Sequence, residues 1–531
     1  MAVITTHAGL LDGEIGALRK AHDGRLRIAL LYPNCYAVGM SNLGFQTLYR
    51  LFNARDDVVC ERAFLPEQIT SATRLRTLES ESLLADMDVI AFSVSYELDY
   101  PNVPRMLRLG GVEPFQAARR GPLVLAGGAT VCYNPEPLAP FLDLAFIGEA
   151  EDSIATLYTT LMALLRGEIP AETVRREGLY LPARGVDPVT RVHVADLDRT
   201  AIYNQIFTEH TEFGHMALVE IGRGCPYHCG FCIASHVYRP SRWRSFDALL
   251  PPIDRGLQYR KRVGLIGASV TDHPEILRLC AEILRRGGQP SPASMRADAL
   301  TDELLSLLAA GGCHSITLAP EAATEPLRRR AGKTLTDEAL FAAAERAKRA
   351  GVQHLKLYFI VGLPGETEDD VRAIPALALL LARTSRLRIS LGCSAFVPKP
   401  GTPFARMAMA APLEIRRKID LIRHGLQGKA AFTHESARWA YWQAVLARGG
   451  RELAPVLATI AEGKDSPGAW SAAFRAAGLA TDASAVAAIP PDASLPWAHI
   501  GENCRATGEL AMDVELATYN PVHPVKNKKD L

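Results

Sequence analysis

A chain of 531 residues can bury roughly two to four separate cores, and its 48% hydrophobic and 22% charged residues suit ordinary globular domains rather than a fibrous or disordered chain. A formal net charge of +1 gives no global field to attract a polyanion, so a nucleic-acid partner is not expected. Ten cysteines at this length exclude a disulfide scaffold and point to a reducing, cytoplasmic setting.

The opening residues, MAVITTHAGLLDGEIGALRK, lack a basic start followed by an apolar core, so no secretory leader is expected. To about residue 160 strand-like and helix-like runs then alternate. RLRIALLYP (25–33) reads as a buried strand, and SNLGFQTLYRLFNA (41–54) as a helix capped by Ser41 or Asn42. DVIAFSVSY (88–96), GPLVLAGGA (121–129) and LDLAFIGEAED (142–152) are further strands. Continuous apolar strands separated by helices predict a parallel sheet covered on both faces, a Rossmann-like α/β domain over 1–160. Its Gly-, Asn- and Pro-rich turns would form a ligand crevice at the carboxyl ends of the strands.

Residues 161–215 read as a connector with short strands. A second α/β series covers 216–405, with strands at 216–224, 262–269, 291–297, 314–321, 354–362 and 386–396. TDELLSLLAAGG (301–312) is one of the helices between them, with Thr301 as a partial cap. Six β/α units predict a complete or partial (β/α)6 barrel whose chemistry sits on loops at the carboxyl ends of its strands. IPALALLLA (374–382) is far shorter than the roughly 20 residues of a membrane span and reads as a buried helix, so no membrane partner is expected. Residues 406–531 read as a mainly helical C-terminal region that shapes or caps a substrate pocket, ending in a polar, frayed tail over 520–531.

The densest chemistry lies in GRGCPYHCGFCIAS (222–235). Cys225, Cys229 and Cys232 are spaced C-x3-C-x2-C on the loop after the first strand of the second series. Three soft thiolates on one loop select zinc, copper(I) or an iron–sulfur cluster. A structural zinc site closes with four ligands, and neither His228 nor His236 completes a familiar zinc spacing. Three cysteines without a fourth suit a four-iron cluster with one iron left open.

This spacing after a first barrel strand, with Phe231 just before the third cysteine, resembles the radical S-adenosylmethionine superfamily. The resemblance runs through 216–400 in the expected order. It implies that Cys225, Cys229 and Cys232 hold three irons of a [4Fe-4S] cluster. It also implies that S-adenosylmethionine binds the fourth iron and is cleaved to a 5′-deoxyadenosyl radical. An electron donor such as flavodoxin or ferredoxin is implied as a partner, beside a small-molecule or peptide substrate. By the same resemblance, the turn IGAS (266–269), with Gly267 and Ala268, would contact the methionine amino group. Arg296 in SMRAD would pair with the cofactor carboxylate. Glu321 in APEAATEPLRR (319–329) would bond the ribose or amino group, although Ala323 and Thr324 replace the Gly and Ser of the resembling segment. VGLPGET (361–367), with Gly362 and Pro364, would cradle the adenine.

The first domain resembles the cobalamin-binding-type domain of an uncharacterised bacterial and archaeal branch of radical enzymes, through YPNCYAVGMSNLGFQTLY (32–49), FSVSYELDYPNV (92–103) and GGATVCYNPEPLAPFLDLAFIGEAED (127–152). Cobalamin is therefore a candidate third cofactor, and methyl transfer to an unactivated carbon a candidate reaction. The D-x-H-x-x-G loop that gives many such domains a cobalt-ligating histidine is replaced by GMSNLG (39–44). The resemblance then places Met40, Ser41, Asn42, Gly127 and Gly128 around a corrin without a histidine on the metal. Methylthio transfer is an alternative, but Cys35, Cys60 and Cys132 lack the paired spacing of a second cluster. A non-catalytic metal-binding module is another, and it would not need Arg296, Glu321 or the adenine turn.

Overall fold

The computed structural model describes residues 7–168, 177–185, 187–293, 295–463 and 465–501. The frayed tail expected over 520–531 lies outside the described residues.

The first domain is built on a six-stranded sheet of β1 (Leu26–Tyr32), β2 (Val58–Phe64), β3 (Val89–Ser93), β4 (Leu123–Gly127), β5 (Leu144–Phe146) and β6 (Leu179–Tyr180), in the order 2-1-3-4-5-6. All pairings are parallel except β5 with β6. The apolar runs predicted this, because both faces are covered. Ile28 and Leu30 of β1 pack with Phe45, Phe52 and Leu157 from the helices on one face. Ala29 and Leu31, the alternate residues, point into an apolar cluster that continues through the barrel and the C-terminal helices. Asn42 is the cap of the helix Leu43–Asn53, its side chain accepting from Phe45 N at 2.9 Å. The helix Ile154–Leu165 runs past residue 160, and β6 comes from the expected connector.

The second series forms a three-stranded and a four-stranded parallel sheet. The first holds β7 (Met216–Glu220), β8 (Arg262–Ile266) and β9 (Gln289–Pro292). The second holds β10 (Ser315–Glu321), β11 (His354–Val361), β12 (Arg388–Ala395) and β13 (Ala431–His434). A parallel bridge, Met295 to Leu318, joins the two into a partial barrel. The six expected strands are present, although the third covers Gln289–Pro292 rather than 291–297 and Ala297 already begins a 3-10 turn. A seventh, β13, extends the row from inside the region expected to be helical, where AFTH is too short to show a period. Thr301 caps its helix as expected, accepting from Leu304 N at 3.1 Å. The apolar stretch 374–382 lies within the helix Glu368–Ser385. Among the described residues no helix is long and apolar enough to cross a membrane.

Beyond β13 follow the helices Ala437–Arg448, Ala454–Glu462 and Pro467–Ala476, packed through Trp442 and Phe474 at 4.8 Å between ring centroids. They are tied to the first domain by polar contacts. Glu97, 1% exposed, accepts from Lys399, from Tyr133 at 2.5 Å and from Gln443 at 3.0 Å. Arg105 donates to the carbonyls of Ala461, Ile460 and Gly463 at the end of Ala454–Glu462.

Candidate functional site

The cysteine loop leaves β7 and returns through a two-residue antiparallel ladder, Arg223 against Arg242 and Gly222 against Trp243, which pins its base. Gly224 needs its left-handed conformation (φ +76°), since a Cβ there would lie 2.3 Å from Tyr238 O. Gly230 N donates to Ala331 O at 2.9 Å, and Phe404 N to Gly230 O at 3.0 Å, so the loop is held against two barrel turns. Phe231 packs in a small apolar cluster with Ala322, Leu327, Leu363 and Phe396, which adds an apolar contact between the loop and the barrel turns.

Cys229 is buried, and Cys225 and Cys232 are partly so. Burial pushes the Cys229 thiol up to about 11; Lys333 pulls it down, and the charges of Cys232, Glu321 and Cys225 push it further up. The three sulfurs are thus electrostatic neighbours. Among the described residues, however, no three His, Cys, Asp or Glu side chains converge closely enough to hold a metal as they stand. The donor set fits a soft metal centre in chemistry, and the side chains must turn toward it. Burial raises the Cys229 and Cys232 thiols, and a cationic centre would supply the charge that favours thiolates.

Glu321 ends β10 at a register shift and is one of few non-glycine residues with a left-handed backbone, φ +68°. Such a conformation costs of order 1–3 kcal/mol and aims the side chain out of the ladder. Its carboxylate is 3.2 Å from Lys333 Nζ, which also donates to Ala319 O. Burial pushes the Glu321 carboxyl up, against the pull of Lys333. Arg328, fully buried, supports this turn by donating to Ala322 O and Ala323 O at 3.1 and 3.0 Å.

Arg296 follows β9. It pairs with Asp298 at 2.5 Å and stacks over the ring of Tyr227 at 3.4 Å, while its Nε has no partner. Tyr227 in turn donates to Asp272 at 2.7 Å. Arg296 is therefore fixed against the cysteine loop itself, since Tyr227 lies between the first two cysteines. Gly362 has φ +83° and donates to Glu366 at 2.8 Å, making the tight turn expected after β11, with Pro364 partly buried beside it.

A cavity of about 390 Å³ lies between the first domain and the barrel. Asn42, Ser93, Gly127, Gly128 and Gly148 line it from the carboxyl ends of the first sheet, and Gly222, Gly224, Gly267 and Ala268 from the barrel. Of the residues expected around a corrin, Asn42, Gly127 and Gly128 are thus in the lining of this cavity. Met40 and Ser41 are not. Met40 is fully buried, its sulfur accepting from Arg62 at 3.3 Å in the domain interior. Ser41 donates to Ala37 O at 2.7 Å and accepts from Glu212 N at 3.2 Å. The helix Tyr36–Met40 turns those two residues away, which a loop reading of GMSNLG could not show. Among the described residues no histidine lines the cavity, and His22 is engaged with Glu61 at 2.9 Å. Cys60 lies buried within β2, Cys132 receives a bond from Gly148 N at 3.2 Å, and Cys35 stands on the turn after β1, so these three are on separate elements.

The sequence did not single out Lys333, Tyr227 or Asp272. Tyr227 was visible inside the cysteine motif as an aromatic face for a cation. Lys333 had no local signal, because its ion pair with Glu321 and its charge acting on Cys229 exist only once the turn after β10 folds back.

Family models match two parts of the chain: radical SAM proteins, N-terminal, over 44–182, and the radical SAM superfamily over 219–378. An uncharacterized protein of Methanocaldococcus jannaschii is 30% identical over 435 residues, covering 81% of this chain and 90% of that relative. An uncharacterized methyltransferase of Pyrococcus horikoshii is 26% identical over 269 residues, covering 47% of this chain and 56% of that relative. Among solved structures, the radical S-adenosylmethionine methyltransferase TsrM from Kitasatospora setae, with cobalamin and a [4Fe-4S] cluster bound, aligns with a TM-score of 0.53 at 16% identity, over 72% of this chain and 77% of that one. That likeness is one of fold. The chain belongs to the radical S-adenosylmethionine superfamily, whose members use a [4Fe-4S] cluster and S-adenosylmethionine.

Proposed function

We propose that this chain is a cobalamin-dependent radical enzyme that methylates an unreactive carbon of a small-molecule or peptide substrate. The observation that carries the reading is the cavity whose walls come jointly from the carboxyl ends of β3 to β5 and from the base of the cysteine loop. An enzyme that needs two cofactors face to face requires such a shared wall.

When bound, the reduced cluster supplies one electron for cleavage of the S-adenosylmethionine sulfonium, and cobalamin supplies the methyl group. The chain's own residues bind and orient. Cys225, Cys229 and Cys232 offer three thiolates, and Lys333 lowers the cost of charging Cys229. Arg296, held flat by Tyr227, offers a guanidinium with an unused Nε to a carboxylate. Glu321 offers an acceptor, and Gly267, Ala268, Gly362 and Pro364 offer backbone at close range. Gly127 and Gly128 leave room for a flat macrocycle over the sheet edge. Leu48, Phe52 and Leu157 form an apolar arm of the cavity under the helices, suited to the nucleotide tail. An external one-electron donor such as flavodoxin or ferredoxin completes the set.

The test is anaerobic reconstitution with iron, sulfide and hydroxocobalamin. About four irons and one corrinoid per chain, with 5′-deoxyadenosine formed under a strong reductant, are expected. Stoichiometric zinc without iron would overturn the cluster assignment. Failure to retain any corrinoid would overturn the cobalamin part alone.

A further inference from the structure

A second cavity, of about 510 Å³, lies on the other side of the turn after β3. Consecutive residues of that turn separate the two cavities: Ser95 lines the first and Tyr96 the second. Its walls come from the turns after β1 and β3, the strand pair where the order of the first sheet reverses, and from the start of the helix Ala437–Arg448 after β13. The reversal point of an open α/β sheet is where ligands enter.

The lining combines two aromatic faces, Tyr96 and Trp439, with three carboxylates, Asp99, Glu435 and Asp465. Among the described residues its one cation is Arg105, and that guanidinium is consumed by Asn102 and by three main-chain carbonyls of the C-terminal region. Asp465 accepts from Trp470 at 2.6 Å. Asp99 is different. It is 6% exposed, and its Oδ1 accepts from Asn34 at 2.8 Å, while among the described residues no group bonds its other oxygen. A largely buried carboxylate that keeps one oxygen open to a cavity offers a guest a charged acceptor.

We propose that this cavity binds a small organic cation, a protonated amine or guanidinium on a compact apolar frame, with Asp99 as its counter-ion and Tyr96 and Trp439 flanking its body. Aromatic faces and carboxylates together suit a cation better than either does alone. Anions are disfavoured by three carboxylates, and a purely apolar guest would leave Asp99 unpaired. That the cation is the substrate rests on the proposed radical chemistry; its binding does not.

Binding is therefore measured by calorimetry on the iron-free and corrinoid-free protein, with three probes of similar size: phenethylamine, its uncharged N-acetyl derivative, and 3-phenylpropionate. Saturable binding of phenethylamine at one site per chain is expected, with the other two at least about tenfold weaker. Asp99→Asn keeps an acceptor for Asn34 and should weaken the amine about tenfold or more, with no change in thermal midpoint beyond a few degrees. Trp439→Leu should weaken the amine while keeping its preference over the neutral probe. Asp99 is pushed up to about 7 by burial and by the charges of Glu97 and Asp465. With Glu435 and Arg105 also facing the cavity, amine binding should fall as pH drops through that value, and the fall should vanish in Asp99→Asn. Equal affinity for the three probes, no amine binding, or an unaltered Asp99→Asn variant overturns the proposal. None of these results bears on iron or corrinoid content.

Discussion

Gly332 sits where a barrel turn presses on the cysteine loop, and Gly332→Ala tests whether that loop is built to hold a cluster. Its φ is +78°, and a Cβ would stand 2.4 Å from His228 O and 3.2 Å from Cys229 Cα. Real Cβ contacts do not go below 3.0 Å, so the two segments must part by about 0.6 Å, the difference between 3.0 and 2.4 Å. The obstacle is main chain, which cannot rotate aside. Binding constellations tolerate about 0.5 Å and metal–ligand distances about 0.2 Å. The displacement therefore reaches the adjacent Cys229 at a size that cluster ligation does not absorb. The left-handed backbone adds a separate cost of about 1–2 kcal/mol. Gly351→Ala is the control: its φ is +90°, and a Cβ there meets nothing within 4 Å. Both variants should lose stability through the backbone term, read as thermal midpoints of the iron-free proteins, and Gly332→Ala should lose more because its main-chain contact must also open. Only Gly332→Ala should lose most of its iron and sulfide after anaerobic reconstitution. Equal iron content in the two variants would refute the reasoning that this contact sets the position of Cys229.

The Cys225→Ala, Cys229→Ala, Cys232→Ala triple variant should retain its fold and lose the iron, measured by metal analysis and circular dichroism. Arg296→Ala and Glu321→Gln should keep the iron and bind S-adenosylmethionine more weakly by about 1.5–3 kcal/mol, the value of a lost charge-assisted hydrogen bond; unchanged binding isotherms would refute their placement. The cobalt(II) form should show no nitrogen splitting from a protein histidine in its electron paramagnetic resonance spectrum, because among the described residues none lines the cavity. Although burial opposes it, Lys399, Tyr133 and Gln443 together hold the Glu97 carboxyl below its usual range. Its contribution to stability is then complete above the ordinary glutamate range near pH 4.5 and is lost as pH falls through the lowered value. Glu97→Gln should flatten the acid limb of the stability curve and, by leaving Lys399 unpaired, cost about 3–5 kcal/mol; an unchanged urea midpoint at pH 7 would contradict that.

The elements legible in the amino-acid order are those whose signal is local. Continuous apolar strands such as Leu26–Tyr32 can only be buried on both faces, and a C-x3-C-x2-C loop fixes three soft donors within eight residues whatever surrounds it. Caps such as Asn42 and Thr301 act within three residues of themselves, so they too were legible. Tertiary structure alone decided which residues meet. Lys333 pairs with Glu321 only after the chain folds back, and Glu97 finds Lys399 and Gln443 across some 300 residues or more. Met40 was misplaced because the direction of one short helix, not composition, determines whether a side chain faces the cavity or the Arg62 network. The two cavities are likewise products of packing between separate domains, and contacts between distant segments leave no period in the sequence to be read.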